Sequence, residues 1–307
     1  TTANGTGPFK LTRFVPDQVA EMEANNDWWE GAPPWKKMNL YINGEEAARL
    51  AMLQRGEADV MEALSPDLVQ VARAAGINVA AVNNKSPGQM FMFTTNETNP
   101  MDPTQKNPLK DIRVRQAVQY AIDRPSMIKG IMRGLAHPYT AGWIPDATMR
   151  GYLPPEELTQ WDYNPDKARE LLKAAGYPNG FKNRIHVPHP RYLKGLEISQ
   201  ATADMLTEIG IETDIATYTR SVFVEKWRAS DLAPMFIDFG WPVQLNPFQL
   251  PSVTMRNLKS YSDPETLAVL ADAESKYTVE EQDAGLRKLN KLWWEGCPVI
   301  WMWHGST

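Results

Sequence analysis

Two stretches far apart in the chain restrict its fold more than any other feature. In Gln89-Met90-Phe91-Met92-Phe93-Thr94-Thr95 the residues Met90 to Phe93 are apolar at successive positions, and so is the whole of Pro298-Val299-Ile300-Trp301-Met302-Trp303. Successive side chains of a strand point to opposite faces, so a run that is apolar throughout must be covered on both. Strands of that kind lie inside a sheet flanked by other layers. The second run sits at the C-terminal edge of the sequence, where an uncovered apolar strand would invite aggregation. It is therefore expected to insert beside another strand, and Gln89–Thr95 is the expected neighbour.

The remaining pattern alternates strands and helices, which calls for an α/β architecture. Phe9–Val15 and Val19–Ala24 alternate as strands around a Pro16-Asp17 turn. Asn25–Pro34 is a turn-rich loop carrying Trp28 and Trp29. Met38–Ile42, Ala58–Met61 and Ile77–Val82 read as strands, Glu45–Gln54 and the stretch after Ser65-Pro66 as helices. A polar, proline-rich stretch, Asn96–Pro108, marks a composition shift suited to a domain boundary. Helices are predicted at Ile112–Ile122, Pro125–Arg133, Asp166–Ala175, Leu193–Ile209, Ser221–Ala229 and Pro264–Tyr277. Thr278 and Glu281 form a capping box that opens a last helix running to Glu295. Strands are predicted at Ile185–Val187, Ile211–Ala216 and Met235–Phe239.

At 307 residues the chain has room for two domains. Its net charge of -5 argues against nucleic acid as a partner, because a phosphate backbone needs a basic footprint. A single cysteine, Cys297, excludes an internal disulfide and a Cys-rich metal site. No apolar run approaches the roughly 20 residues that span a bilayer.

Few residue groupings suggest catalysis. His186 and His189 are three apart, but Pro188 and Pro190 forbid the regular helix that would seat both on one metal. A metal-dependent hydrolase using this pair is the alternative reading. Cys297 reads as a small buried hydrophobe rather than a nucleophile. Asp111, Arg113, Arg115 and Asp123 read as a solvated face with structural ion pairs. No cofactor is called for.

What remains is Asp238-Phe239-Gly240-Trp241-Pro242-Val243-Gln244-Leu245-Asn246-Pro247. A strand delivers its carboxyl end into a Gly/Pro loop, the place where open α/β sheets hold ligands. An aromatic face beside a few polar groups suits a binding pocket. The candidate solute contacts are Trp241, which would stack, and Asp238, Gln244 and Asn246, which would hydrogen-bond.

Several stretches carry a family resemblance: GTGPFKL (5–11), EANNDWWEGAPP (23–34), AARLAMLQRGEADV (47–60), DIRVRQAVQYAIDR (111–124), GLAHPYTAGWIP (134–145), YNPDKARELLKAAGYPNGF (163–181) and DPETLAVLADAESKYTVEEQ (263–282). Together they resemble the family-5 extracytoplasmic solute-binding proteins of ABC transporters, the peptide, nickel and oligosaccharide receptors. The resemblance runs along essentially the whole chain.

The resemblance implies a two-lobed, type II, cluster C-like periplasmic-binding-protein fold with two crossing hinge strands. Residues 1–88 with 299–307 would belong to lobe I, and 89–298 to lobe II. The protein would capture an oligopeptide, an oligosaccharide or a related polar solute and deliver it to the membrane permease of an ABC importer. It would be a monomer without catalysis, periplasmic or membrane-anchored outside the cell. Family members extend beyond both ends of this sequence, so the chain is expected to be partial. In the peptide-binding branch an Asp shortly after Gly-Trp pairs with the peptide amino group. The matching position here is Gln244, or Val243 for a different loop length, and neither carries the charge, which leans the expectation toward neutral, hydroxyl-rich solutes such as oligosaccharides.

Overall fold

The computed structural model describes residues 5–80, 83–139, 142–144, 147–239 and 246–306. Residue contacts divide the chain into two compact units, Thr1–Val79 and Ala80–Thr307.

The first unit opens with an antiparallel sheet of β1 (Phe9–Val15), β2 (Val19–Ala24) and β3 (Lys37–Tyr41), in that spatial order. Its register makes the sheet two-faced. Leu11, Met22 and Met38 share one rung, and Phe14, Ala20 and Leu40 another. The opposite face carries Arg13, Glu21 and Asn39, with Arg13 paired to Glu21 at 2.7 Å. Helices α1 (Glu46–Gln54) and α2 (Pro66–Ala74) follow. Ser65 precedes Pro66 as expected, but its side chain makes no capping hydrogen bond. The strand predicted at Ala58–Met61 is absent, and Val60 is 84% exposed. Without a neighbouring strand to pair with, local alternation alone does not hold an extended segment. Residues 77–80 are also not strand, and 81–82 lie outside the described residues.

The second unit runs β4 (Asn83–Met92), β5 (Thr98–Asn99), β6 (Asp102–Lys106), α3 (Ile112–Ala121), α4 (Arg124–Gly130), β7 (Ala136–Pro138), α5 (Pro165–Ala174), β8 (Phe181–Pro188), α6 (Gly195–Glu208) and β9 (Ile211–Tyr218). It continues with α7 (Arg220–Arg228), β10 (Met235–Phe239), α8 (Gln249–Ser252), α9 (Pro264–Glu274), α10 (Val279–Gly296) and β11 (Val299–Ser306). Six strands form one mixed sheet in the order β7-β11-β4-β10-β8-β9. The strands β10, β8 and β9 are parallel, and the other pairings are antiparallel.

The two apolar runs are neighbours, as their composition requires: Val299 lies opposite Phe91 and Ile300 opposite Met90. Met90, Phe91, Met92, Val299, Ile300, Trp301 and Met302 are all buried. Phe91 stacks on Phe236 of β10 with centroids 4.7 Å apart. Burial of these side chains contributes roughly 1.5–3 kcal/mol each.

The strand β7 pairs with β11 only from Trp303 to Gly305. Where β7 stops, side chains of the α3 region take over the free edge of β11. Gln119 Nε2 donates to the Val299 carbonyl at 2.5 Å, and its Oε1 accepts from the Trp301 amide at 3.4 Å. Arg124 Nε donates to the Trp301 carbonyl. Arg115, read from the sequence as part of a solvated face, is instead buried. It donates to the carbonyls of Gly296, Leu109 and Lys110 at 2.8, 2.8 and 3.0 Å. Its neighbours fit the surface reading: Arg113 pairs with Asp111, and Asp123 caps α4 through Ser126.

The turns into β8 and β9 place two glycines back to back. Gly180 (φ +70°) and Gly210 (φ +99°) approach so closely that a Cβ on Gly180 would strike the Gly210 carbonyl. The capping box of α10 forms, with Thr278 Oγ1 accepting from the Glu281 amide and donating to its carboxylate at 2.7 Å.

Candidate functional site

The candidate site is the carboxyl end of β10. Parallel pairing between β10 and β8 is confined to Met235–Ile185 and Phe236–His186, while β10 continues to Phe239. Beyond Phe236 the two strands part, and the turn after β8 brings Tyr192 to this end of β10. The Tyr192 hydroxyl donates to Asp238 Oδ1. Asp238 is buried, and Arg191 lies over the Tyr192 ring, 5.3 Å from its centroid.

On its other side Asp238 is in register with Gln89 of β4, and Gln89 is in register with Trp301 of β11. Side chains at paired positions lie on one face of a sheet. Asp238, Gln89 and Trp301 thus form a single cross-strand rung. Gln89 has 0% exposure, and among the described residues neither its Oε1 nor its Nε2 has a hydrogen-bond partner. Trp301 Nε1 is likewise buried without a partner. The Trp301 ring stacks on Trp294 at 5.1 Å and on Tyr139 at 5.6 Å, so an aromatic bank closes this end of the rung.

Of the residues expected from the sequence, Asp238 sits at this buried strand end. Asn246 stands on an exposed turn, where its Oδ1 accepts from the Phe248 amide at 3.0 Å and so helps start α8. Trp241 and Gln244 lie outside the described residues. Sequence reasoning passed over Gln89, Tyr192 and Trp301. Gln89 left a signal, since it is a polar residue heading an otherwise apolar run.

The histidine pair shows no metal-site geometry. His186 Nε2 lies 3.0 Å from the Ala233 carbonyl, so that nitrogen carries the proton, and Nδ1 accepts from the Tyr218 hydroxyl at 3.0 Å. Both ring nitrogens are thereby used inside the fold. Burial holds the imidazole below its ordinary pKa and keeps it neutral. Among the described residues, no three His, Cys, Asp or Glu side chains stand close enough to hold a metal. Cys297 is buried, and burial pushes its thiol pKa far up, which removes it as a nucleophile.

The bacterial extracellular solute-binding proteins, family 5, match residues 1–253. This chain belongs to that family. The glutathione-binding protein GsiB of Shigella flexneri is 27% identical over 96% of this chain and 58% of its own length. Heme-binding protein A of Haemophilus influenzae is 27% identical over 77% of this chain and 41% of its own. The periplasmic binding protein DppA of Helicobacter pylori, solved with the peptide STSA, superposes with a TM-score of 0.79 at 21% identity. That match covers 98% of this chain and 57% of DppA. The chain thus spans about half the length of the relatives it matches, and it shares the α/β fold of the type II periplasmic binding proteins. These relatives are binding proteins by name rather than enzymes, and none of them favours the hydrolase alternative. No described helix is long and apolar enough to cross a membrane.

Proposed function

We propose that this family-5 chain is the solute-capturing portion of a receptor that hands peptides or peptide-like solutes to the permease of an ABC importer. The observation that carries the reading is the family match over residues 1–253. Support for the solute class comes from relatives named for glutathione and solved with a peptide. The receptor works outside the cytoplasmic membrane, as a monomer, without cofactor or catalysis. Residues 89–298 form one lobe, and residues 1–88 with 299–307 contribute to the other. Asp238 at the end of β10 is the anchor of the solute site, with Trp241, Gln244 and Asn246 from the following loop.

The test is to purify the protein without unfolding, denature it, and identify the released solute by mass spectrometry. A peptide or a peptide conjugate is expected. A sugar would displace the peptide reading in favour of the oligosaccharide lean that Gln244 suggests. Protein that arrives empty is titrated with peptides by calorimetry, and failure to bind any of them rejects the reading.

A further inference from the structure

We infer that Gln89 is a solute-contacting, specificity-determining residue that reads an amide group of the solute; this rests on the peptide reading above. Buried polar atoms in folded proteins nearly always have hydrogen-bond partners. Gln89 breaks that rule with both ends of its side chain, at 0% exposure. An unmade buried hydrogen bond costs about 1–3 kcal/mol per group. Met90, Phe91, Met92 and Phe93 beside it are all apolar and buried, so a leucine at position 89 would extend the pattern and remove that cost. A polar group that folding does not use, at a position that otherwise suits an apolar one, points to a use outside folding.

Position and chemistry agree on what that use is. Gln89 lies between Asp238 and Trp301 in one rung, at the carboxyl end of β10 where β8 has already diverged. Ligands of open α/β sheets lie beyond the carboxyl ends of strands. A carboxamide offers one acceptor and two donors. An extended peptide residue turns its own N–H and C=O to the same side, as it does in a hydrogen-bonded strand pair. One carboxamide can therefore accept from that N–H and donate to that C=O. Trp301 Nε1 supplies a further buried donor in the same rung. Gln89 is covered by protein atoms alone, so a solute reaches its carboxamide only by displacing some of them.

Reduced glutathione and a panel of dipeptides to tetrapeptides are titrated by calorimetry into the protein and into Gln89→Leu. Both proteins are also melted without solute. Gln89→Leu is expected to melt at or above the wild-type temperature and to bind the tightest peptide about tenfold more weakly, the equivalent of losing one or two hydrogen bonds. In a second arm, the amides of that peptide are replaced one at a time by esters. One replacement should weaken wild-type binding and leave Gln89→Leu binding unchanged. Wild-type affinity in Gln89→Leu overturns the assignment and leaves the peptide reading standing. Wild-type protein that binds none of the panel overturns the peptide reading, and the assignment with it. Should Gln89→Leu not fold, Gln89→Met replaces it. Should neither fold, the ester series on wild type decides, and no sensitive position overturns the assignment.

Discussion

Replacing Arg124 with methionine should destabilise the second unit sharply, although among the described residues no carboxylate is hydrogen-bonded to the guanidinium. The side chain is buried and donates to the carbonyls of Gln119 (3.0 Å), Ile122 (3.3 Å), Trp161 (3.0 Å) and Trp301, and to Gln119 Oε1 at 2.6 Å. Burial lowers its pKa to about 10, and it remains charged at neutral pH. Methionine fills similar volume but donates nothing. The Ile122 carbonyl keeps the Arg124 amide and Gln119 Oε1 keeps the Trp301 amide, so the Trp161 and Trp301 carbonyls bear the main loss. At roughly 1–3 kcal/mol per orphaned acceptor the expected loss is about 4 kcal/mol. For a unit of this size that is roughly a 10 °C fall in Tm. Arg124→Lys, which keeps the charge but not the fork, should recover part of it. Urea denaturation and differential scanning calorimetry measure both. A Tm shift of Arg124→Met under about 2 °C would refute the reasoning. So would additive losses in the double variant with Gln119→Leu, because residues sharing a hydrogen bond should couple.

Other outcomes follow from single contacts. Gly180→Ala should cost about 3 kcal/mol or more by urea denaturation, because the new methyl meets the Gly210 carbonyl and φ is +70°; a loss under about 1 kcal/mol would mean the two turns can separate. The depressed pKa of His186 favours the folded state fully above the unfolded value near 6.5, and that contribution is lost as pH falls through the lower folded value. The urea midpoint should therefore drop between about pH 7 and 5 in the wild type and drop less in His186→Gln. Cys297 should resist a thiol reagent until the protein unfolds, and rapid labelling of the native protein would contradict its burial.

Much of the fold was legible because each element carried its own start and stop. The bounds of β1, β2 and β10 coincide with the predicted ones, and the Thr278–Glu281 capping box opens α10 as read. The failures have a common cause. Strand β8 begins at Phe181, earlier than the apolar Ile185–Val187, because it pairs with β9 in parallel from Phe181 opposite Ile211 onward. The segment Ala58–Met61 has strand-like alternation and no such partner. A strand is completed by its neighbours, and a single sequence does not name them. The site was half legible for the same reason. Asp238 announces itself at a strand end, but Tyr192, which meets it, lies 46 residues earlier in a turn without a motif.

Two glutamines, both wholly buried, show how the structure separates roles that the sequence leaves alike. Gln119 donates to Val299 and accepts from Arg124 and Trp301, so each end of its carboxamide is used in holding β11. Gln89 lies on the adjacent strand with neither end used. The same substitution should therefore act in opposite directions. Gln119→Leu orphans the Val299 carbonyl and the Trp301 amide and removes an acceptor from Arg124, for an expected loss of about 2–4 kcal/mol. Gln89→Leu removes two unsatisfied atoms and adds apolar burial, so its stability should stay level or rise. Melting the two variants side by side without solute measures this contrast. If Gln89→Leu loses as much stability as Gln119→Leu, its carboxamide takes part in folding after all, and the case for a role at the solute fails with it.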